Sequence, residues 1–136
     1  IDLCWRLHLY GYKIYSSPKS VVYHYGGATL KEGSAKKVYL NHRNNLMMII
    51  KNSGFARLLW VLPVRLLLEF GSLLFYYKKN GIEYSKVVLD ALYWNIKNIK
   101  MIFSKRKLNQ EKRVKKDKEV FKGIENFVVI RKILFG

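Results

Sequence analysis

The residues best suited to chemistry lie near the start of the chain. Asp2 and Arg6 are four positions apart in a predicted helix, so they share one helical face and can form an ion pair. His24 follows an apolar run and stands just before Gly26 and Gly27, where the backbone can approach a ligand closely. A neutral imidazole can bind Mn²⁺ beside carboxylates, which makes this histidine the candidate metal ligand.

Simpler structural roles remain open for residues in this region. The Asp2 carboxylate can stabilise the positive amino-terminal end of its helix without touching a ligand. Arg6 can have no role beyond its ion pair with Asp2, and Trp5 can be an ordinary core residue. His8 and His42 are not followed by a glycine pair, and we interpret both as surface or packing residues.

The composition describes a folded and strongly basic chain. Of its 136 residues, 50% are hydrophobic and 15% are aromatic, which is enough for one domain with a core and excludes general disorder. The 26 Lys and Arg residues against 9 Asp and Glu residues give a formal net charge of +17. Such a surface attracts polyanions, namely nucleic acid, anionic lipid or a phosphorylated substrate. Cys4 is the only cysteine, which excludes an internal disulfide.

The elements that position the candidate residues mix helix and strand. A helix that begins at Asp2 is predicted to end at Gly11, and residues 12–15 and 20–25 are rich in the β-branched and aromatic types that favour short strands. We therefore expect an α/β fold. Two short strands cannot close a sheet, so the remaining strands are expected outside this sequence.

Three helices are predicted after this region, within residues 34–54, 55–79 and 82–104. Ser34 is a suitable cap for the first of them, and Gly81 divides the other two. The pattern of apolar residues in each window repeats with the helical period.

The remaining sequence opens with eight basic residues between positions 105 and 118, which predicts a solvated helix or a flexible tail before a short apolar helix. The chain therefore divides into three regions. Residues 1–52 carry the candidate chemistry, residues 53–104 form a helical region, and residues 105–136 form a basic tail.

The helix predicted for residues 55–79 is amphipathic. At about 100° per residue, its polar residues fall in one arc of roughly 120° and its leucines fall mostly outside that arc. The polar residues are Arg57, Arg65, Glu69, Ser72 and Lys79. The helix of residues 82–104 has a similar stripe. We expect both helices to lie in a membrane interface as a peripheral or monotopic region on the cytoplasmic face, with each nearby basic residue contributing about 1 kcal/mol.

Other interpretations of these helices and of the basic run remain open. The apolar faces can pack on one another or on a missing domain, and residues 55–79 can form a spanning or re-entrant segment. Nucleic-acid binding is the rival for the basic run, but the sequence lacks a Cys/His zinc pattern, an identifiable helix-turn-helix and Gly-aromatic interleaving. We therefore expect an anionic membrane surface and no nucleic acid as a partner, with a non-catalytic membrane-binding module as the alternative function.

Four motifs follow one another within residues 1–52. They are an acid-headed helix of the form Asp-Leu-x-x-Arg, a Gly-Tyr-x-Ile segment, a Val-x-His-x-x-Gly segment and a Tyr-x-x-x-Arg-Asn helix that ends on Arg43 and Asn44. In this order they resemble the inverting glycosyltransferases of family 2, particularly the rhamnosyltransferase-like members. The rest of the chain is similar to that family only in general character.

The resemblance implies a GT-A fold, a Rossmann-like α/β domain of which residues 1–52 form the carboxy-terminal part. It implies inverting transfer of a sugar, with rhamnose as the nearest guess, from a nucleotide-sugar donor to a cell-surface glycan or a lipid-linked acceptor. In such enzymes a carboxylate deprotonates the acceptor hydroxyl, and Mg²⁺ or Mn²⁺ neutralises the leaving diphosphate.

The implied site residues follow from the motifs. His24 is the metal ligand, and the substrate-binding residues are Asp2, Trp5, Arg6, Arg43 and Asn44. The catalytic base aligns immediately before Ile1 and is expected outside this sequence, with Asp2 in a supporting role. We therefore expect a carboxy-terminal fragment of a glycosyltransferase that is inactive alone.

Overall fold

A computed structural model describes residues 1–23, 30–31 and 33–122 of the chain. Helices account for 74% of this part. In chain order they are α1 (Asp2–Leu9), α2 (Ala35–Asn52), α3 (Phe55–Asn80), α4 (Ile82–Lys97), α5 (Ile99–Glu111) and α6 (Asp117–Val120).

The predicted α/β class is wrong, because the described part of the chain is all-helical and contains no strand. Residues 12–15 and 20–23 run as irregular chain, and the side chain of Tyr23 is 96% exposed. A β-branched and aromatic pattern becomes a strand only when a neighbour supplies partners for its backbone N–H and C=O groups. The helices offer these segments no such neighbour, so the local preference is not realised. The last two residues of the second predicted strand lie outside the described residues.

The ends of the long helices follow local chemistry. The Ser34 hydroxyl accepts a hydrogen bond from the Lys37 backbone N–H at 3.4 Å and caps the start of α2, as the sequence predicts. The break between α3 and α4 falls at Gly81, whose φ of 82° lies in the left-handed region that favours glycine. Pro63 lies inside α3, which continues through it.

The helix predicted for residues 82–104 is divided at Asn98 into α4 and α5. The Asn98 side chain donates a hydrogen bond to the Trp94 carbonyl at 2.8 Å, in addition to the bond from its own backbone N–H at 3.0 Å. α5 then continues to Glu111, so the first residues of the basic run are helical.

α2 is the central helix and contacts α1, α3, α4 and α5. Its buried residues Leu46 and Ile50 meet Ile102 of α5 in a small core, and Leu58 and Leu62 of α3 pack against them. α1 packs on α2 and on α6, which brings the two ends of the described chain together. Few apolar side chains are fully buried, and polar groups occupy much of the interior.

Candidate functional site

The Asp2 carboxylate joins the start of α1 to the end of α2. Its Oδ2 atom accepts hydrogen bonds from Lys51 Nζ at 2.8 Å and Arg6 Nε at 3.2 Å, and its Oδ1 atom accepts one from Asn52 Nδ2 at 2.7 Å. Partial burial acts to raise the pKa of this carboxyl, but the hydrogen bonds from Lys51 and Asn52 and the charges of Lys51 and Arg6 outweigh it, so the pKa lies below its ordinary value. Asp2 is therefore an ionised structural anchor with three donors.

Two other predicted site residues, Trp5 and Arg6, also lie on α1. The Trp5 ring meets the Phe121 ring edge to face, with 5.3 Å between centroids, and its buried Nε1 atom has no hydrogen-bond partner among the described residues. This contact covers one side of the ring. Arg6 forms the ion pair with Asp2 that its spacing predicts, and its side chain is about one-third exposed. Arg6 therefore retains donors that face a cleft.

Arg43 and Asn44 lie on α2 and bond to each other. Arg43 Nε and Nη2 both donate to Asn44 Oδ1, at 3.0 and 2.9 Å. The guanidinium group lies over the rings of Tyr39 and Trp94, at 5.5 and 4.9 Å from their centroids. Arg43 therefore packs toward α4, whereas Asn44 lines a cleft of about 410 Å³ beside Asp2.

The candidate metal ligand, His24, lies outside the described residues. Within the described part of the chain, no group of three or more His, Cys, Asp or Glu side chains is placed to hold a metal ion. Asp2 already accepts three hydrogen bonds, so it does not offer a free carboxylate to Mg²⁺ or Mn²⁺. The described residues therefore do not fit a divalent metal site by themselves.

The carboxy-terminal end of α2 is enclosed by side chains from the basic run. Arg106 Nη1 donates to the carbonyls of Ile50 at 2.5 Å and Ser53 at 2.6 Å. Burial and the nearby charge of Arg113 lower the pKa of Arg106, which nonetheless stays a cation at neutral pH because guanidinium titrates so high. The last carbonyls of a helix lack partners within it, and cations stabilise this negative end.

Further polar side chains complete this arrangement, which we call the polar junction. Its members, from α1, α2, α5, α6 and the turn after α5, are Asp2, Lys51, Asn52, Arg106, Asn109, Gln110, Arg113 and Asp117. The buried Asn109 amide donates to Asn52 Oδ1 at 2.8 Å and accepts from the Tyr10 hydroxyl at 2.8 Å. Asp117 accepts from Arg113 Nη2 at 2.6 Å and from the Gly54 backbone N–H at 2.7 Å.

The sequence predicts a solvated helix or a flexible tail for the basic run. Arg106 and Arg113 of this run instead bond within the polar junction. A charge count does not separate exposed cations from those that cap a helix. The available signal is the spacing of residues 106, 109 and 110, which share one face of α5, followed by Arg113 just after the helix; all four carry guanidinium or amide groups.

A second buried cluster joins α2 to α3. Glu69 is 1% exposed and accepts hydrogen bonds from Arg65 on its own helix and from His42 on α2. Burial acts to raise the pKa of Glu69, but the hydrogen bond from His42 and the charge of Arg65 outweigh it, so the pKa lies below its ordinary value. The His42 ring also meets Tyr76 edge to face. His42 is therefore a packing residue, as predicted, and it also satisfies a buried carboxylate.

The two charged residues in the middle of α3, Arg65 and Glu69, therefore face the other helices, and most of its apolar side chains other than Leu58 and Leu62 face outward. Between residues 58 and 77 its only charged side chains are Arg65 and Glu69, and both pair within the bundle. The outward side chains are 46% to 72% exposed, and we call them the apolar face of α3: Leu59, Leu66, Leu67, Leu68, Phe70, Leu74, Phe75 and Tyr77. Exposed patches of this size mark protein or membrane contacts.

α3 is long and apolar enough to cross a membrane, judged by length and composition, and only 6% of its most apolar window is buried. Comparison with protein-family models, curated proteins and solved structures finds no match to this chain. The assignment of a function therefore rests on the residues themselves.

Proposed function

We propose that this helical assembly docks on the anionic cytoplasmic face of a membrane and is the membrane-docking part of an inverting sugar transferase. The observation that carries the docking is the apolar face of α3, which has no charged side chain over about 20 residues because Arg65 and Glu69 turn inward. In water such a face is costly, whereas in lipid it gains about 25 cal/mol for each Å² removed from water.

The packing of the other helices favours a position along the membrane surface over a span. α2 and α4 pack beside α3, and they expose polar and charged side chains such as Asn45, Lys86 and Asp90. A spanning α3 would carry these groups toward the hydrocarbon, where a charged side chain costs at least about 2.5 kcal/mol. A flat position places one face of the assembly in lipid and leaves these groups in water.

Charge complementarity supports an anionic surface as the partner. The chain carries a formal charge of +17, and Arg57 at the start of α3 and Lys78 and Lys79 at its end border the apolar face. Each basic residue held near an anionic leaflet contributes about 1 kcal/mol at physiological salt. Lipid insertion and charge attraction therefore act on the same side of α3.

Vesicle flotation with the purified chain tests the docking. Leu67 is 72% exposed on the apolar face, and Val21 is 73% exposed in the irregular segment before α2, which makes them matched positions. Leu67→Glu is expected to weaken partitioning onto vesicles of phosphatidylcholine with phosphatidylglycerol by about tenfold or more, since burying a leucine gains about 1.5–3 kcal/mol. Val21→Glu adds the same charge and is expected to change it less than threefold.

Equal losses for Leu67→Glu and Val21→Glu would contradict docking through α3 and would point to general charge attraction. Equal binding to neutral and anionic vesicles would be consistent with the apolar contact, but it would refute the role of the basic residues. Circular dichroism of each variant checks that helix content is unchanged, because both positions are exposed.

The sugar-transfer part of the proposal is supported by the motifs in residues 1–52 and by the cleft beside Asp2. Three asparagine side chains line this cleft of about 410 Å³, namely Asn41, Asn44 and Asn45. Amide groups both donate and accept hydrogen bonds, which suits the hydroxyl groups of a sugar. We propose a nucleotide-sugar donor and a glycan or lipid-linked acceptor, and the Mg²⁺ or Mn²⁺ requirement stays a prediction of the resemblance.

The coding sequence upstream of Ile1 tests this part separately. Sugar transfer by the proposed route requires a carboxylate directly before Ile1 as the base and an Asp-x-Asp motif further upstream. If the upstream sequence contains both, the longer protein is expected to release nucleoside diphosphate from a nucleotide sugar. If it contains neither, the sugar-transfer part is overturned and membrane docking is unaffected.

A further inference from the structure

A basic cleft of about 360 Å³ lies where α1, α2 and α5 meet, on residues that the membrane proposal does not use. Its lining side chains include four cations and two neutral polar groups: Arg6, Lys51, Lys105, Lys112, Tyr10 and Asn109. None of the acidic side chains that the structure describes lines it. We infer that this cleft binds a diphosphate group.

The cations of the cleft come from three helices, and the packing of these helices brings them together. Lys105 and Asn109 lie on one face of α5, and Lys112 follows three residues after Asn109 as the cap residue of this helix. Arg6 and Tyr10 are four apart on the opposite wall. Lys51 enters from the end of α2 and is only 9% exposed. A cluster that depends on three helices differs from scattered surface lysines, because its positive charges converge on one volume.

The floor of the cleft is neutral and already satisfied. Asn109 donates to Asn52 and accepts from the Tyr10 hydroxyl, so these groups are held in place by bonds at 2.8 Å. Asp2, which lies outside the cleft, fixes two of the cations because it accepts hydrogen bonds from Arg6 Nε and Lys51 Nζ. The cleft is therefore preformed, which lowers the entropic cost of binding.

The charge balance of the cleft leaves room for a multiply charged anion. Asp2 offsets one of the two positive charges on Arg6 and Lys51, and neither Lys105 nor Lys112 has a bonded carboxylate among the described residues. None of the described residues accepts a hydrogen bond from the terminal nitrogens of Arg6. An excess of about three positive charges thus faces one small cleft, and hydrogen bonds from these cations to phosphate oxygens are charge-assisted.

Distance favours a diphosphate over a single phosphate. Lys105 lies in α5 and Lys112 caps its end seven residues later, so at 1.5 Å per residue their Cα atoms are about 10.5 Å apart. Two linked phosphates span more of this separation than one phosphate does, and they offer more oxygens to the cations. The volume also falls within the range of small-ligand sites, so the probe is a small anion.

Inorganic pyrophosphate is the probe, titrated into the purified whole chain by calorimetry with orthophosphate as the comparison. One pyrophosphate per chain is expected, with tighter binding than orthophosphate. The double variant Lys105→Ala/Lys112→Ala is expected to weaken pyrophosphate binding by tenfold or more. Lys97→Ala/Lys100→Ala removes the same charge from exposed positions on α4 and α5 outside the cleft, and it is expected to weaken binding less than threefold.

Equal effects of the two double variants would overturn the inference, because the attraction would then belong to the net charge and not to the cleft. Binding of several pyrophosphates per chain, or equal affinity for orthophosphate, would overturn it as well. All four lysines are exposed, so the variants are expected to keep the helix content of the original chain, and circular dichroism checks this.

Two comparisons separate the sources of such a group without affecting the inference. A soluble nucleoside diphosphate should displace pyrophosphate if the natural ligand is a nucleotide. If the natural ligand is a lipid, vesicles with a polyprenyl diphosphate should bind the chain more tightly than matched vesicles without it. This gain should be lost in Lys105→Ala/Lys112→Ala and kept in Leu67→Glu. Failure of membrane docking leaves the calorimetric result in place, since none of the cleft residues lies on α3.

Discussion

The buried carboxylate between α2 and α3 provides a quantitative prediction. Replacing Glu69 by alanine leaves the Arg65 guanidinium and the His42 ring facing each other without an acceptor, and their side chains are only 21% and 11% exposed. Breaking a buried ion pair by removing one partner costs about 3–5 kcal/mol, because the remaining charge stays desolvated. We expect Glu69→Ala to lower the free energy of unfolding by about this amount.

An exposed ion pair serves as the control. Glu83 accepts a hydrogen bond from Lys86 at 3.3 Å, and their side chains are 78% and 59% exposed. Such pairs contribute about 0–1 kcal/mol, so Glu83→Ala is expected to change the free energy of unfolding by less than about 1 kcal/mol. Both variants remove one carboxylate, which keeps the change in net charge equal.

Chemical denaturation in a mild non-ionic detergent, followed by circular dichroism, measures the difference. The detergent covers the apolar face of α3 and prevents association of the unfolded chain. Glu69→Gln keeps the side-chain volume and a hydrogen-bonding oxygen, so it is expected to fall between the other two variants. If Glu69→Ala and Glu83→Ala lie within about 1 kcal/mol of each other, the assignment of Glu69 to a desolvated structural cluster is refuted.

Two further perturbations test the polar junction. A Cβ atom at Gly54 would lie 2.5 Å from Asp117 Oδ2, so Gly54→Ala should displace this carboxylate and destabilise the fold by about 1–3 kcal/mol. Gly71 has open space around it inside α3, so Gly71→Ala should stabilise the fold by about 0.5–1 kcal/mol. Thermal unfolding of the two variants compares them. The lowered pKa of Asp2 means that its contribution is present above the pKa of the unfolded carboxyl, about 3.9, and is lost as the pH falls through the lower folded value. The stability difference between the original chain and Asp2→Asn should therefore be constant near neutral pH and begin to shrink as the pH falls below about 4, and a difference that grows on acidification would contradict an ionised anchor.

Helix positions were predictable because local signals fixed them. Ser34, Gly54 and Gly81 mark ends that depend on capping or on backbone conformation, and the structure places helix boundaries at all three. The two predicted strands failed because strand formation depends on a partner, which no local pattern encodes. The sequence supports a β preference there, and the described fold supplies no sheet to receive it.

The direction of α3 could not be predicted from its periodicity. A helical wheel shows that Arg65 and Glu69 share a face, and the structure pairs them. It does not show whether that face meets water or another helix. The deciding residue is His42, which lies 27 positions earlier than Glu69, and only the packing of α2 on α3 brings the two together.

The polar junction also bears on the order in which the chain can complete its fold. The carbonyl groups of Ile50 and Ser53 obtain their donor, Arg106, from a residue more than 50 positions further along the chain. During synthesis the end of α2 therefore waits until all of α3 and α4 has been made. When Arg106 leaves the ribosome, the apolar side of α3 has already emerged, because α3 precedes α5 in the chain. Under the proposed docking, a nascent chain gains most from meeting a lipid surface at this stage, so contact with lipid precedes closure of the polar junction.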